Sequence, residues 1–254
     1  MQLVILAGGY GTRISEETSD KPKPMIKIGE YPIIVHLMKY YSKFGVKDFI
    51  ICLGYKGYQI KEYFYNYNRH INDLSLDFQN TSAEYLNSKN EKWNIKLIET
   101  GINTMTGGRL KRVEKYINQE NFFLTYGDGL SNVNINKLKN FHLKNKKIAT
   151  VTAVKLPSRF GYLKIRENSL VSKFSEKPNN NEDWINGGFF VFNKKIFKYL
   201  KNSKTILERE PLEYLSKNKN LIAFKHNKFW YAMDTLRDKK YLEKIWYSKI
   251  VPWK

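Results

Sequence analysis

Short apolar runs alternate with helical patterns along the first half of the chain. A short hydrophobic run bounded by turn residues predicts a strand that is buried on both faces. Segments of this kind cover residues 3–6, 48–53, 94–100, 122–126 and 148–154. Apolar residues at helical spacing predict intervening helices over residues 32–44, 58–65 and 110–117. This alternation predicts an α/β fold with a mostly parallel sheet, which binds ligands beyond the carboxyl ends of its strands.

The pattern changes near residue 150, where short paired strands replace the regular alternation. Residues 159–165 and 170–174 alternate polar and apolar positions, which predicts a hairpin. Further strands are expected at residues 184–192, 221–226 and 229–233, and further helices at 195–201, 211–217 and 235–247. The polar stretch 67–92 is a flap, an oligomer contact or a plain surface excursion. Because no linker divides the chain, we expect one domain, residues 1–254, with a first part at 1–150 and a second at 151–254.

The first predicted strand leads directly into a glycine-rich loop, Leu-Ala-Gly-Gly-Tyr-Gly-Thr-Arg, which ends at Arg13. Its glycines can bring bare backbone close to phosphate oxygens, and the arginine supplies charged donors. The string is not a Walker loop, which needs G-x-x-x-x-G-K-[ST]. It is not a dinucleotide fingerprint either, because Ile14 stands where the third glycine belongs. We interpret the loop as a cradle for a nucleoside triphosphate.

Two aspartates directly follow predicted strands. Asp128 lies between two glycines after the strand 122–126, where a sheet of this type exposes its chemistry, so we interpret it as a metal ligand. Asp234 precedes the closing helix, where capping of the helix is the alternative role. The histidines lack metal-binding spacing and the single cysteine, Cys52, excludes a thiolate cluster. Carboxylates and phosphate oxygens are therefore the expected metal ligands.

Gly107 and Gly108, at the start of a predicted helix, form a second glycine-rich corner with Thr104, Thr106 and Arg109. Helix N-termini attract anions, and the missing side chains leave room for a flat base or a ribose. An ordinary loop and first helical turn is the alternative interpretation of this corner.

A third polar group follows the predicted hairpin. Glu176 can accept hydrogen bonds from hydroxyl groups and Lys177 can pair with phosphate, a combination that suits a phosphosugar. Asn186 and Gly187 then precede a buried strand and again place a polar side chain beside bare backbone. Glu176 and Lys177 are therefore candidates for a sugar-phosphate subsite.

The formal net charge of +20 raises the question of a nucleic-acid partner. Only eight of the 44 basic residues are arginines, and the lysines are spread singly along the chain. Nucleic-acid readers instead cluster arginine on one element, so we expect a solvated basic surface and no nucleic-acid partner. No apolar run reaches the length of a membrane span, and we expect a cytoplasmic protein with no membrane partner.

Together with Lys21-Pro-Lys-Pro-Met25, the first loop resembles the signature of the sugar-1-phosphate nucleotidyltransferases. The resemblance extends along the chain through longer strings, namely D-F-I-I-C-x-G-Y-K-G-Y, M-T-G-G-R-L-K-R, T-Y-G-D-G, I-N-G-G-F-F-V-F and M-D-T-L-R-D-K. These strings are most similar to members that use CTP and glucose 1-phosphate. The resemblance implies a Rossmann-like mixed sheet, a smaller C-terminal sugar-binding part, Mg²⁺ as cofactor, and a homo-oligomer with a hexamer as the candidate assembly.

The resemblance also implies roles for individual residues. Those expected to be catalytic are Arg13, Lys23 and Asp128. Those expected to bind the nucleotide are Leu6, Ala7, Gly8, Gly9, Tyr10, Gly11, Thr12, Arg13, Lys23, Thr104, Gly107, Gly108 and Arg109. Those expected to bind the sugar phosphate are Glu176, Lys177, Asn186 and Gly187, and the expected metal ligands are Asp128 and Asp234. On this basis residues 1–150 form the nucleotide-binding half and residues 151–254 the sugar-phosphate-binding part.

Three alternatives remain at this point. The same reaction could use dTTP, UTP or GTP, or another sugar phosphate, because a few hydrogen bonds to the base decide the choice. A non-catalytic sugar-nucleotide sensor would be expected to lose metal carboxylates or loop cations, which are all present here. A nucleic-acid binder would bind a random duplex tightly and in a salt-sensitive way.

Overall fold

The computed structural model of the chain describes residues 1–86, 90–155, 162–167, 169–175 and 183–254. The strands are β1 (Leu3–Leu6), β2 (Lys27–Ile28), β3 (Tyr31–Pro32), β4 (Asp48–Leu53), β5 (Asp73–Asp77), β6 (Ser82–Leu86), β7 (Asn94–Glu99), β8 (Asn121–Tyr126), β9 (Gly129–Ser131), β10 (Ala149–Val154), β11 (Tyr162–Ile165), β12 (Val171–Ser175), β13 (Ile185–Asn193), β14 (Leu221–His226) and β15 (Trp230–Ala232). The helices are α1 (Ser15–Thr18), α2 (Ile33–Ser42), α3 (Gly57–Tyr65), α4 (Tyr67–Ile71), α5 (Thr106–Arg112), α6 (Ile135–Asn145), α7 (Glu210–Lys217) and α8 (Leu236–Trp246).

A seven-stranded sheet in the order β14-β10-β13-β8-β1-β4-β7 organises the molecule. The pairings β8-β1, β1-β4, β4-β7 and β10-β14 are parallel. Strand β13 runs antiparallel to both of its neighbours. The predicted α/β class with a mostly parallel, mixed sheet is confirmed. Strands from both halves of the chain share this sheet.

The sheet is covered on both faces, as the apolar runs predict. In β1, Leu3 and Ile5 join one hydrophobic cluster, and Val4 and Leu6 join the other, because successive side chains point to opposite faces. The first cluster includes side chains of α2 and the second includes side chains of α5 and α7. Cys52 is buried in the second cluster, as the sequence predicts.

The antiparallel direction of β13 brings two distant parts of the chain to one edge. Strands β1 and β8 end in register, with Leu6 beside Tyr126. Strand β13 begins at the edge where β8 ends, which places Asn186 close to Tyr126. The loops that follow β1 and β8 and the segment that opens β13 therefore share one end of the sheet.

Several predicted bounds differ from the structure. The helix expected at 110–117 begins earlier, at Thr106, and ends in a 3₁₀ turn at Glu114–Tyr116. The helix expected at 195–201 is a 3₁₀ turn, Lys194–Tyr199. The stretch 67–92 contains α4 and the exposed hairpin β5-β6. Strands β11 and β12 form the hairpin expected at residues 159–165 and 170–174. In the described part of the chain, no helix is both long and apolar enough to span a membrane.

Candidate active site

A cavity of about 720 Å³ opens at the carboxyl ends of β1 and β8. It is lined by Leu6, Ala7, Gly8, Gly9, Tyr10, Gly11, Thr12, Arg13, Lys23, Pro24, Ile102, Asn103, Thr104, Met105, Thr106, Arg109, Tyr126, Gly127, Asp128, Asn186, Trp230, Ala232 and Asp234. The whole predicted first loop, Lys23 and both predicted metal carboxylates thus face one space, although they are far apart along the chain.

Lys23 lies between the two predicted metal ligands. Its Nζ is 2.6 Å from Asp128 Oδ2 and 2.8 Å from Asp234 Oδ1. Only 10% of the lysine side chain is exposed, compared with 28% and 25% for the two aspartates. Burial disfavours the ammonium, but the two ion pairs outweigh it and raise the pKa of Lys23 above its ordinary value. The lysine is therefore a permanent cation at neutral pH.

Asp234 contacts a second cation, since Arg13 Nη1 lies 2.7 Å from Asp234 Oδ2. The arginine side chain is 73% exposed, so this surface pair adds little to stability and leaves the guanidinium free to reorient. The alternative role of Asp234 as a helix cap is wrong, because Thr235 is the N-cap of α8 and forms a capping box with Asp238. The Asp234 carboxylate is thus available to the cavity.

Each glycine of the first loop is required, or leaves space, for a different structural reason. A Cβ on Gly8 would lie 2.2 Å from Arg109 Nη1, so packing requires glycine there. Gly11 has a φ of +69°, a left-handed conformation that favours glycine. A Cβ on Gly9 would meet no described atom within 4 Å. Gly9 therefore has open space beside it, as the predicted phosphate cradle requires.

Arg109 is buried behind the loop and joins separate segments. Its Nη2 donates to the carbonyl of Gly8 at 2.8 Å and to that of Ile102 at 3.1 Å. Its Nη1 donates to the carbonyl of Leu53 at 2.9 Å and to Thr100 Oγ1 at 2.8 Å. The guanidinium thus cross-links the loops that follow β1, β4 and β7. Its predicted contact with the nucleotide remains a prediction.

Gly107 and Gly108 are buried and are not among the residues that line the cavity. A Cβ on Gly108 would lie 2.6 Å from the carbonyl oxygen of Ser203, and one on Gly107 would lie 2.8 Å from Thr205 Cγ2. In addition, the Gly108 amide donates to the Thr205 carbonyl at 3.1 Å. The glycine pair lets α5 pack closely on the segment 203–207, and its predicted binding of the nucleotide remains untested by this geometry.

The sugar side is partly described. Asn186 lines the cavity, and its Oδ1 accepts a hydrogen bond from the Gly188 amide at 2.8 Å. Gly187 accepts a hydrogen bond from Trp230 Nε1 at 2.6 Å, so its carbonyl holds a wall residue of the cavity. Glu176 and Lys177 lie outside the described residues.

Sequence reasoning did not assign the wall residues Tyr126 and Trp230 to the site. Tyr126 immediately precedes the Gly-Asp-Gly segment, so its place at the end of a strand was the available signal. Trp230 lies on a short strand, β15, which pairs with β9 next to Asp128. That pairing is a long-range contact, and no local sequence pattern reports it.

The residues at the cavity fit a magnesium site whose remaining ligands come from the substrate. The two carboxylates converge, since both contact one ammonium group. Mg²⁺ prefers oxygen ligands and is often held by one or two carboxylates together with substrate phosphates and water. The described residues contain no group of three or more metal-binding side chains. The donor set suits a metal that arrives with a nucleotide.

Comparisons with known proteins find relatives of this chain by sequence and by fold. The family model described as Nucleotidyl transferase matches residues 2–238. A glucose-1-phosphate cytidylyltransferase from Salmonella typhimurium is 50% identical over 255 residues, covering 100% of this chain and 99% of that protein. A protein of the same name from Salmonella typhi is also 50% identical over the same shares. Among solved structures, HddC from Yersinia pseudotuberculosis complexed with GMP-PN matches with a TM-score of 0.68 and 26% identity, covering 96% of this chain and 99% of that one.

Proposed function

The chain belongs to the nucleotidyl transferase family, as its motifs predict, and we propose that it transfers the cytidylyl group of CTP to glucose 1-phosphate. The products would be CDP-glucose and pyrophosphate. The chain is a nucleotidyltransferase, and the choice of base and sugar rests on full-length relatives at 50% identity. The observation that supports the chemistry best is the convergence of Lys23, Asp128 and Asp234 in a cavity lined by the glycine loop.

In the proposed reaction, a phosphate oxygen of glucose 1-phosphate attacks the α-phosphorus of CTP in line. A new P–O bond forms, the bond to the β-phosphate oxygen breaks, and the electron pair leaves with pyrophosphate. The attacking phosphate is already anionic at neutral pH, so no strong general base is required. The main difficulty is to hold two polyanions together, and binding them in one cavity supplies the proximity.

The basic residues of the cavity are suited to that task. The Lys23 ammonium is held in place by carboxylates and carries its charge at neutral pH, so it can stabilise negative charge on the phosphates. Arg13 is exposed enough to turn from Asp234 towards a triphosphate. In the first loop, Gly9 leaves space for a phosphate to approach the backbone. We propose that Lys23, Arg13 and the backbone at Gly9 bind the pyrophosphate as it leaves.

Asp128 and Asp234 would hold Mg²⁺. When bound, the metal supplies positive charge that polarises phosphate oxygens. The carboxylates also orient Lys23, and the sharing of Asp234 with Arg13 couples both cations to the same group. The two aspartates would therefore position the metal and the two basic side chains around the phosphates.

We assign the sugar phosphate to the side of the cavity that contains Asn186, with Glu176 and Lys177 as further contacts from the motif. Residues 1–150 would then bind the nucleotide and residues 151–254 the sugar phosphate. We further propose a homo-oligomer in the cytoplasm, and analytical ultracentrifugation of the purified protein would measure the oligomeric state.

A substrate panel tests the proposed function. The protein is incubated with Mg²⁺, glucose 1-phosphate and CTP, dTTP, UTP or GTP in turn, and pyrophosphate release is followed. We expect the highest kcat/KM with CTP. A preference for another triphosphate would overturn the choice of base, and no pyrophosphate release with any of the four would overturn the proposed reaction with this sugar phosphate.

A further inference from the structure

A carboxylate that no motif includes lies directly behind the cavity wall. Glu208 follows the segment that packs on α5, and it does not line the cavity itself. Its Oε1 accepts a hydrogen bond from the Tyr126 hydroxyl at 2.5 Å, and its Oε2 accepts one from Thr106 Oγ1 at 2.6 Å. Both donors do line the cavity. No ion pair to Glu208 occurs among the described residues, so its two oxygens are committed to these hydroxyl groups.

The network fixes the direction of each proton. The Thr106 hydroxyl accepts from the Leu207 amide at 2.9 Å, which leaves its proton for Glu208. The Tyr126 hydroxyl has one proton and two lone pairs, and its proton is also given to Glu208. Towards the cavity Tyr126 therefore presents only acceptor capacity.

That acceptor capacity is incompletely used. Asn186 Nδ2 approaches the Tyr126 hydroxyl at 3.4 Å, which is long for a hydrogen bond of this type. The Tyr126 ring is packed in place, because the Gly188 backbone lies so close that a Cβ there would be 2.6 Å from Cδ2, and the Phe190 ring lies edge-on with centroids 6.0 Å apart. A fixed phenol oxygen that can only accept is complementary to a hydroxyl donor on a ligand.

We propose that Glu208 is a positioning residue for the transfer reaction, which fixes the Tyr126 hydroxyl so that it accepts a hydrogen bond from a sugar hydroxyl of a bound substrate. The inference deepens the proposed function and rests on it. Both the hexose of the sugar phosphate and the ribose of the nucleotide carry such hydroxyls. Tyr126 is then a specificity-determining residue that discriminates against the matching deoxy substrate.

The test compares Glu208→Gln and Tyr126→Phe with the wild type and with Glu210→Gln. Glu210 is a matched control, because it is two residues away, 76% exposed and 3.6 Å from Lys201. The hexose arm uses glucose 1-phosphate and its 2-, 3-, 4- and 6-deoxy analogues. The ribose arm uses CTP and its 2′- and 3′-deoxy analogues. The measured quantity is the ratio of kcat/KM for each parent substrate to that for its analogue.

We expect the wild type and Glu210→Gln to discriminate against one analogue by about tenfold, the effect of one lost hydrogen bond. The arm that contains this analogue identifies the source of the hydroxyl. In Glu208→Gln and in Tyr126→Phe the same ratio is expected to fall to about twofold, and the double variant should discriminate no less than either single variant. Ratios for the other analogues should stay at the wild-type value.

Wild-type discrimination in Glu208→Gln, or a uniform fall in kcat/KM for every substrate, would overturn the inference. The second pattern would show a purely structural role, and Tyr126→Phe distinguishes it because it leaves the Glu208 backbone and the Thr106 contact in place. If the wild type prefers another triphosphate or sugar phosphate, the proposed function fails separately. The ratios are then measured with deoxy analogues of the preferred pair.

Discussion

Gly8 and Gly9 are neighbours in the first loop, yet their surroundings differ. A Cβ on Gly8 would lie 2.2 Å from Arg109 Nη1, and the guanidinium cannot move without breaking hydrogen bonds to Gly8, Leu53 and Ile102. We expect Gly8→Ala to lower the free energy of unfolding by about 2 kcal/mol, through overpacking and lost hydrogen bonds. Urea unfolding measures this change.

Gly9→Ala is the matched control, because a Cβ there meets no described atom within 4 Å. We expect its free energy of unfolding to stay within about 0.5 kcal/mol of the wild type. If the backbone at Gly9 approaches a phosphate, the KM for CTP should rise in this variant. An equal loss of stability in both alanine variants would contradict the role assigned to Arg109.

A substitution at Asp128 should change activity but not stability. In Asp128→Asn, Lys23 keeps its contact with Asp234 at 2.8 Å, so we expect little change in Tm. We expect kcat/KM to fall by about 100-fold or more, because the variant loses a proposed metal carboxylate. Asp73→Asn, on the exposed strand β5, is the control and should behave as the wild type. An Asp128→Asn variant with wild-type turnover would refute the assignment of Asp128.

At the scale of elements, sequence reasoning succeeded where local pattern decides the structure. The apolar runs of β1, β4 and β8 are buried strands, and the first loop and Asp128 follow them at one edge of the sheet. It does not report contacts with a distant segment. Gly107 and Gly108 pack closely against the segment 203–207, and no local pattern predicts that contact.

The same limit explains why Glu208 was missed. Its partners, Thr106 and Tyr126, lie 102 and 82 positions away along the chain, and no spacing rule covers such distances. The orientation of β13 was also hidden, because an apolar run carries no information about strand direction. Asp234, which lines the cavity, could be proposed from sequence because it lies in the string M-D-T-L-R-D-K, which resembles a family motif.

The N-terminus of α8 connects an element's stability to the site. Thr235 Oγ1 accepts from the Asp238 amide at 3.3 Å, and Asp238 Oδ2 accepts from the amides of Thr235 and Asp234 at 2.8 and 3.1 Å. We expect Thr235→Ala to lower the free energy of unfolding by about 1 kcal/mol, the usual effect of removing a cap. Thr235→Ser keeps the hydroxyl and should retain most of the wild-type free energy of unfolding. Equal stability of the two variants in urea unfolding would show that the cap contributes nothing.

Across the whole molecule, His36 and His142 are buried histidines that burial holds neutral. His36 Nε2 donates to the Ile28 carbonyl at 2.8 Å, and its Nδ1 accepts from Trp253 Nε1 at 3.3 Å. His142 contacts Thr150 Oγ1 and Asn121 Oδ1 at 2.8 and 3.1 Å. Burial lowers the pKa of each histidine to about 4. Neither ring accepts a proton in the folded protein until the solution is strongly acidic.

Stability should therefore fall on acidification before the carboxylates titrate. The unfolded histidines bind protons near pH 6.5 and the folded ones only near pH 4, so stability is lost as the pH falls through that window. Each histidine accounts for about 3 kcal/mol, which is large against a typical total of about 5–15 kcal/mol. Urea unfolding at pH 7, 5.5 and 4.5 measures the slope of the free energy of unfolding against pH.

His142→Gln, whose amide can replace both hydrogen bonds, should flatten this slope, whereas His70→Gln at an exposed position should not. An unchanged slope in His142→Gln would show that His142 is not a source of the acid sensitivity.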